Sequence, residues 1–248
     1  MKNLTRIIGV IQARTSSKRL PKKVLLEINN HPVVKWQIER VKRVELLDEI
    51  VLATTTHQED EPLVSIAREC QIKVLRGDEN NVLSRFYKVI DLYKPDVIVR
   101  ITADCPLFMP DLCDSMLRYY SSQPCDYLSN TLVPTWPDGC DVEIVSKESF
   151  DKLKKLQLTS EEKEHVTLGM YRQREIFRCF NFLNDNDESK HRWTLDCQDD
   201  YIFIKSVYQL FKGRELEFTY KDVMNLFSNK ILEPRIDEGE MRNSALRN

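Results

Sequence analysis

A cluster of positive charges follows the first apolar run of the chain. The segment Ala13-Arg-Thr-Ser-Ser-Lys-Arg-Leu-Pro-Lys-Lys23 contains five cationic side chains, those of Arg14, Lys18, Arg19, Lys22 and Lys23. Small residues between them would let the backbone come close to an anion, and the cations would neutralise its charge. The segment matches neither the GxxxxGKS/T pattern of a Walker loop nor GxGxxG. It therefore predicts a polyphosphate-binding loop of another kind, with a solvated basic loop as the alternative.

A carboxylate placed to face this loop is the second chemical signal. Asp104 follows Val97–Ile101, an apolar run typical of a buried strand in a parallel sheet. Ligands of open parallel sheets bind outside the carboxyl ends of the strands, where the basic loop also lies. Because Mg²⁺ is held by one or two carboxylates together with phosphate oxygens, Asp104 is a candidate metal ligand. The alternative is a cap of the turn or of the following helix. Cys105 has no histidine near it in sequence, which favours packing over nucleophilic chemistry.

The elements that must position these side chains alternate along the first half of the chain. Apolar runs at Ile7–Ile11, Ile50–Ala53 and Val97–Ile101 are separated by segments with helical spacing of apolar residues. This alternation predicts an α/β fold, with a single domain and a mostly parallel, doubly wound sheet. The later part is less regular and predicts an antiparallel extension. Its predicted helices are Leu112–Tyr120, Lys147–Leu156, Glu161–Tyr171 and one containing Phe203–Phe211, and its predicted strands are Tyr127–Ser129, Val142–Val145, Phe177–Phe182 and Arg192–Leu195.

Length and charge exclude several classes of protein. A chain of 248 residues fits one medium domain with a sizeable core. Its 37 lysines and arginines against 39 acidic residues give a net charge of −2, so no overall positive field favours nucleic acid or an anionic membrane as a partner. No apolar stretch is long enough to span a bilayer, and the first residues lack the pattern of a signal peptide. We therefore expect a cytoplasmic protein.

Cysteines and histidines give no support for other chemistries. The seven cysteines are odd in number and form no CxxC pair, which predicts that most are reduced, small packing residues. His31, His57 and His191 lack a catalytic context and are expected at the surface. No HExxH motif or Ser/His/Asp arrangement is visible, so hydrolase chemistry has no support.

The basic segment also resembles a known motif. Ile11–Lys23 is similar to the opening QARxxSxRLPxK motif of the cytidylyltransferases that activate acidic sugars, and further similar blocks follow in order along the chain. These are Arg76-Gly77-Asp78, Val99–Leu107, Pro137–Glu143, Glu164–Thr167 and Arg192–Asp196. The chain most resembles the spore-coat polysaccharide (SpsF-type) family and, more distantly, the CMP-keto-deoxyoctonate and CMP-acylneuraminate synthetases. Ser16 and Lys22 depart from the pattern, because relatives commonly carry small residues or glycine there.

This resemblance implies a fold and a reaction. The fold is the Rossmann-like one of the nucleotide-diphospho-sugar transferases, with residues 1–248 as one cytidylyltransferase domain. Residues 1–125 would form the nucleotide-binding half, and residues 126–248 the acceptor-binding half with a possible dimerisation extension, so that a homodimer is a possible assembly. The expected activity is Mg²⁺-dependent transfer of CMP from CTP to a small acidic sugar or related surface-polysaccharide precursor, with release of pyrophosphate.

The resemblance also assigns roles to individual residues. Arg14, Lys23 and Asp104 are expected in catalysis, and Asp104 and Asp196 at the metal. The nucleotide-binding residues are expected to be Ala13, Arg14, Ser17, Lys18, Arg19, Lys23, Arg76, Gly77, Asp78 and Arg85. The acceptor-binding residues are expected to be Asp138, Gly139, Asp141, Glu143, Glu164, His165 and Arg192, with Arg192 holding an acceptor carboxylate. Asp196 could instead cap a helix beginning near Gln198, and the acids of the acceptor set could be solvated turn residues.

Two other functions remain open from the sequence. Asp185-Asn-Asp187 imitates the DxD motif of glycosyltransferases that use nucleotide sugars, although a polar turn is the better account and the basic loop suits a triphosphate better. A noncatalytic nucleotide-binding protein is the other alternative, because fold does not decide function.

Overall fold

A seven-stranded sheet forms the centre of the computed structural model, which describes residues 5–236. In this described part the strands are β1 Ile7–Gln12, β2 Glu27–Ile28, β3 His31–Pro32, β4 Glu49–Thr55, β5 Lys73–Gly77, β6 Val97–Thr102, β7 Tyr127–Ser129, β8 Glu143–Ser146 and β9 Cys179–Asn181. The order in the main sheet is β5-β4-β1-β6-β8-β7-β9, and β2 and β3 pair separately. The helices are α1 Val33–Val41, α2 Glu61–Glu69, α3 Val82–Tyr93, α4 Pro110–Ser122, α5 Lys147–Leu153, α6 Ser160–Glu164, α7 Leu168–Arg172, α8 Gln198–Leu210 and α9 Tyr220–Ser228.

Strand direction determines where a ligand can be held. β1 runs parallel to its neighbours β4 and β6, and β4 runs parallel to β5. β8 runs antiparallel to β6 and β7. The carboxyl ends of β1, β4 and β6 therefore meet the amino end of β8 at one edge of the sheet. The predicted mostly parallel sheet with antiparallel pairing in its later part is confirmed. The strand β6 from the first half of the chain pairs with β8 from the second, so both halves build one sheet.

The core lies on both faces of the sheet. In β1, Val10 faces the core formed with α3, α5 and α7, whereas its neighbour Ile11 faces the core formed with α1, α2, α4, α8 and α9. Val51 and Leu52 of β4 alternate between the two cores in the same way. Because both faces of the strands are covered, their central residues are mostly apolar.

Three predictions about local structure were wrong. Val166 has a φ of 55°, a left-handed backbone that divides the predicted helix Glu161–Tyr171 into α6 and α7. The segment Arg192–Leu195 forms no strand, and only Arg192 pairs, in an isolated bridge with Asp138. His191 is buried, with 4% of its surface exposed, because its ring stacks on that of Phe227.

The cysteines and the lengths of the helices complete the description of the fold. All seven cysteines are free, and five of them are buried. None of the helices in the described part of the chain is long and apolar enough to cross a membrane.

Candidate active site

A cleft of about 1180 Å³ opens at the carboxyl edge of the sheet. It brings together most of the residues that the sequence predicts, from both halves of the chain. Those lining it are Ala13, Arg14, Ser17, Lys18, Arg19, Lys23, Arg85, Asp104, Asp138, Asp141, Glu143, Glu164, His165, Arg192 and Asp196. The volume is slightly above the range of about 300–1,000 Å³ that is common for small-molecule sites. The arrangement therefore fits one site that extends from the basic loop to the acids of the second half.

The basic loop, residues 13–23, is folded back on itself by its own backbone. The main-chain oxygen of Thr15 accepts hydrogen bonds from the N–H groups of Ser17 (2.9 Å) and Lys22 (3.2 Å). Lys22 has a φ of 55°, the left-handed region that favours glycine. The departure from the family motif at Lys22 therefore lies at a position where glycine would be under less strain. A short 3₁₀ turn at Lys23–Leu25 then directs Lys23 into the cleft.

A buried carboxylate anchors the start of this loop. Asp60 accepts hydrogen bonds from the backbone N–H (2.8 Å) and hydroxyl (2.7 Å) of Thr15. The hydroxyls of Thr54 (3.1 Å) and Thr55 (2.5 Å) donate to the same carboxylate. Burial favours the neutral form of Asp60, but these hydrogen bonds outweigh it and lower its pKa. Asp60 thus ties the loop after β1 to the end of β4.

Two carboxylates converge on one ammonium group at the centre of the cleft. The Nζ atom of Lys23 lies 3.0 Å from Oδ2 of Asp104 and 2.8 Å from Oδ1 of Asp196. Burial opposes the charge of Lys23, but the two carboxylates outweigh it and raise the pKa of the ammonium. Burial likewise opposes the charge of Asp104, and Lys23 outweighs it and lowers the pKa of this carboxyl to about 2. Lys23 and Asp104 are therefore both charged near neutral pH.

Main-chain hydrogen bonds bring Asp196 beside Asp104. The N–H of Leu195 donates to the main-chain oxygen of Asp104 at 2.8 Å, which places the next residue at the same point. The buried side-chain amide of Gln37 in α1 donates to the main-chain oxygens of Thr102 (2.6 Å) and Cys105 (3.2 Å). The turn that carries Asp104 is therefore held from both sides.

The alternative role of Asp196 as a helix cap does not fit the structure. The N-cap residue of α8 is Cys197, and Asp200 supplies the carboxylate that accepts from its N–H at 3.1 Å. The side chain of Asp196 instead contacts Lys23 (2.8 Å) and Arg19 (2.9 Å). It is thus directed at the cations of the cleft.

The carboxylate pair has the donor atoms that a divalent cation bound together with a phosphate group requires. The described residues contain no group of three or more histidine, cysteine or acidic side chains that could hold a metal ion. The carboxylates of Asp104 and Asp196 nevertheless both contact the Nζ atom of Lys23. Two hard carboxylates with room for phosphate oxygens are what Mg²⁺ requires. The residues present therefore fit a metal that arrives with a nucleotide. Burial raises the pKa of the Cys105 thiol well above the ordinary value, which disfavours the thiolate that nucleophilic chemistry needs.

The acceptor half of the cleft consists of interlocked charges. Arg192 contacts Asp200 (3.0 Å), Asp196 (3.2 Å) and Asp138 (3.7 Å), and only 5% of its side chain is exposed. Arg100 in β6 pairs with Glu143, which also accepts from the hydroxyls of Tyr127 (2.5 Å) and Thr167 (2.7 Å). Asp138 and Glu143 are held by these partners and are not solvated turn residues, whereas Asp141 accepts from the N–H of Gly139 within its own turn at 3.4 Å.

Gly139 does not line the cleft, but its neighbours Asp138 and Asp141 do. Its φ is 104°, and a Cβ atom there would lie 2.5 Å from main-chain atoms of Trp193 and Thr194. Glycine is therefore required so that the loop of Asp138 can pack against the backbone of the segment that carries Asp196.

The block Arg76-Gly77-Asp78 lies outside the cleft lining. The guanidinium of Arg76 donates to the main-chain oxygens of Thr55 (2.8 Å) and His57 (2.7 Å), so it braces the loop after β4. A Cβ atom on Gly77 would lie 2.7 Å from Cγ of Arg85, so this glycine leaves room for the arginine that does line the cleft. Asp78 accepts from the N–H groups of residues 80 and 81.

Sequence reasoning missed several residues that shape the cleft. Arg100 and Thr167 line it, and Asp60 and Asp200 support it from behind. The signal for Arg100 was an arginine inside an apolar strand, which needs a buried partner. Asp185 and Asp187, by contrast, lie outside the cleft lining, and Asp187 accepts from the backbone and hydroxyl of Ser189 as a polar turn does.

A doubly wound sheet holds its ligand at the carboxyl edge, and the basic loop and the carboxylate pair found there have the composition expected of a nucleotidyltransferase. Comparison with known proteins identifies the family within this class. The family described as Cytidylyltransferase matches residues 8–212, and the chain belongs to that family. It is a CTP-dependent nucleotidyltransferase.

The relatives span most of the chain. An uncharacterised protein of Methanocaldococcus jannaschii is 36% identical over 199 residues, which are 79% of this chain and 80% of the relative. The spore coat polysaccharide biosynthesis protein SpsF of Bacillus subtilis is 33% identical over 211 residues, 82% of this chain and 86% of the relative. The structure of a cytidylyltransferase from Leptospira borgpetersenii superposes with a TM-score of 0.87 at 29% identity, covering 92% of this chain and 96% of that one. The resemblance inferred from the sequence motifs is confirmed.

Proposed function

We propose that this enzyme transfers CMP from CTP to a small acidic sugar destined for a surface polysaccharide, with Mg²⁺ as cofactor and pyrophosphate as the second product. The observation that carries this proposal is the convergence of Asp104 and Asp196 on Lys23. A basic loop next to paired carboxylates suits a metal-bound triphosphate. Membership of the cytidylyltransferase family favours nucleotidyl transfer over glycosyl transfer or binding without turnover.

The loop residues would bind and orient the triphosphate. Arg14, Lys18 and Arg19 are part of the cleft lining and can neutralise charge on the phosphates. Lys23 would leave the carboxylates for a phosphate oxygen when a divalent cation takes its place. The acceptor oxygen then attacks the α-phosphorus, the bond from that phosphorus to the oxygen bridging to the β-phosphate breaks, and the acceptor proton leaves to solvent.

Asp104 and Asp196 would hold the metal ion. When bound there, Mg²⁺ would supply Lewis-acid stabilisation of negative charge on the phosphate oxygens. The chain's own contribution is rigidity, because Gln37 and the backbone of Leu195 fix the turn of Asp104 before substrate arrives. Preorganisation of this kind lowers the cost of orienting the reactants.

The acceptor would lie beside Asp141, Glu143, Glu164 and His165, which line the other half of the cleft. Carboxylates there can accept hydrogen bonds from the hydroxyl groups of a sugar. An acceptor carboxylate would need to compete with Asp138 for Arg192, because that arginine is already held by acidic side chains. The acidity of the acceptor is therefore the part of the proposal that an acceptor panel tests most directly.

The experiment is a pyrophosphate-release assay. The protein is incubated with each NTP and Mg²⁺ together with sugar acids, phosphorylated sugars and alditols, and neutral or amino sugars. Release with CTP and a sugar acid, and no release without an acceptor, supports the proposal. Release of pyrophosphate only with neutral, amino or phosphorylated acceptors would contradict a sugar acid as the acceptor. No release with any combination of NTP and acceptor would contradict the proposed reaction.

A further inference from the structure

Asp200 lies below the cleft, at the third residue of α8. Its side chain is fully buried, with 0% exposed. The Oδ2 atom accepts from the backbone N–H groups of Asp196 at 2.9 Å and Cys197 at 3.1 Å. One carboxylate therefore fixes the main chain of Asp196 where the segment turns into α8.

The same carboxylate also holds Arg192. The Nε atom of Arg192 donates to Oδ1 of Asp200 at 3.0 Å, and its Nη2 atom donates to Oδ2 at 3.2 Å. This Nη2 atom lies 3.2 Å from Oδ2 of Asp196 as well. Asp200 thus holds the backbone of Asp196 directly and the carboxylate of Asp196 through Arg192.

A segment near the end of the described chain reaches the same point. Arg235 donates from Nε to Oδ1 of Asp200 at 3.4 Å, and its main-chain oxygen accepts from the N–H of Arg192 at 2.8 Å. Residue 235 lies beyond the residues 8–212 that match the family. This part of the chain therefore contributes to the support of the site.

We infer that Asp200 is a positioning residue for metal binding, which acts by holding Asp196 and by sharing the charge of Arg192. The inference rests on the proposed function for the role of Asp196. Without the charge of Asp200, Arg192 would pair more strongly with Asp196 and compete with a divalent cation for its oxygens. Partners that orient a metal ligand typically contribute tenfold to a hundredfold in metal affinity or activity.

The test measures Mn²⁺ binding directly. Free Mn²⁺ is followed by electron paramagnetic resonance during titration of the protein with a nonhydrolysable CTP analogue present. Asp200→Asn keeps the shape of the side chain and removes its charge. We expect about tenfold to a hundredfold weaker Mn²⁺ binding, with unchanged affinity for the analogue in the presence of a chelator. The matched control is Asp199→Asn, which removes the same charge from an exposed position in the first turn of the same helix and should bind Mn²⁺ like the wild type.

The outcomes separate a positioning role from a general structural one. Mn²⁺ affinity of Asp200→Asn equal to that of Asp199→Asn would overturn the inference, and so would an equal fall in metal-free nucleotide affinity. If Asp200→Asn does not fold, Asp200→Glu decides, because it keeps the charge that compensates Arg192 and moves the carboxylate away from the backbone N–H of Asp196. About tenfold weaker Mn²⁺ binding is then expected, and wild-type binding contradicts the inference. Pyrophosphate release by the wild type tests the proposed function separately.

Discussion

The ammonium of Lys23 lies 3.0 Å from the carboxylate of Asp104, although 81 positions separate them in sequence. The lysine occupies the point on which Asp104 and Asp196 converge, which is also where a divalent cation would be held. Lysine and metal are therefore expected to exclude one another at this point. Substrate binding would move the ammonium from the carboxylates to a phosphate oxygen.

The first prediction concerns Lys23→Ala. Removal of the ammonium leaves Asp104 and Asp196 without the cation that separates their charges, so the metal-free variant should be less stable than the wild type. Because Mg²⁺ can replace the ammonium, it should raise the melting temperature of the variant more than that of the wild type. Turnover should fall about a hundredfold to a thousandfold, because one stabiliser of transition-state charge is lost.

Melting curves with and without Mg²⁺, beside steady-state kinetics, check this prediction. Lys73→Ala is the control, because Lys73 is an exposed lysine outside the cleft lining. An equal response of both variants to Mg²⁺ would contradict the proposed exchange of lysine for metal.

The second prediction concerns the nucleotide. CTP with Mg²⁺ should raise the melting temperature more than ATP, GTP or UTP, because the chain belongs to the cytidylyltransferase family. A ligand at a hundred times its dissociation constant stabilises the native state by about 2.7 kcal/mol. The Asp104→Asn variant should lose most of the Mg²⁺-dependent part of this shift. Equal shifts with all four nucleotides would refute selectivity for the base.

The third prediction compares two glycines with positive φ. Gly139→Ala places a Cβ atom 2.5 Å from the backbone of Trp193 and Thr194, whereas Gly213→Ala meets no atom within 4 Å. Both substitutions carry backbone strain of about 1–2 kcal/mol, and only the first also forces two backbone segments apart. Urea unfolding should therefore show a clearly larger loss for Gly139→Ala. Equal losses in the free energy of unfolding would show that the close approach of these two segments does not limit the substitution.

The fourth prediction is a pH dependence that arises from Asp60. The pKa of Asp60 is lowered in the folded protein, so its stabilising contribution is present above its unfolded pKa of about 3.9. That contribution is lost as the pH falls through the lower, folded value. Asp60→Asn should reduce the free energy of unfolding at pH 7 by about 1.5–3 kcal/mol, because a charged acceptor is replaced by a neutral one.

The difference in stability between wild type and Asp60→Asn should stay constant from pH 7 to pH 5 and become smaller below pH 4. Urea unfolding across this range measures it. Asp185→Asn, in a polar turn outside the cleft lining, is the control for loss of an acidic side chain. A difference that grows as the pH falls would contradict a lowered pKa of Asp60 in the folded protein.

Much of the fold was predictable because it depends on local patterns. The apolar runs of β1, β4 and β6 are buried on both faces, so their continuous hydrophobicity identified a parallel sheet. The same strand ends located the basic loop and Asp104. Lys22 also stands out in the sequence, because it occupies a position where relatives commonly carry a small residue or glycine. Its left-handed backbone explains why glycine is favoured there.

Other features depend on partners that the sequence does not place side by side. The guanidinium of Arg76 was expected near the nucleotide, but the carbonyls at the end of β4 direct it away from the cleft lining. Arg192 was expected to hold an acceptor, and it is surrounded by Asp138, Asp196 and Asp200. Burial makes such pairing necessary, because an unpaired charge in the interior is costly.

The amino-acid sequence by itself determined the class of fold, the basic loop and the place of Asp104 at a strand end, whereas Asp196 was a candidate through the family resemblance, with a helix cap as the alternative. Periodicity and local charge are properties of neighbouring residues, and a strand end fixes the edge at which a ligand can bind. Only the tertiary structure decided that Lys23 and Asp196, 173 positions apart, are in contact at 2.8 Å. It also decided that Asp200 supports Asp196 from below. Contacts of this kind arise from the packing of α8 and its preceding segment against the sheet edge, which no local pattern encodes.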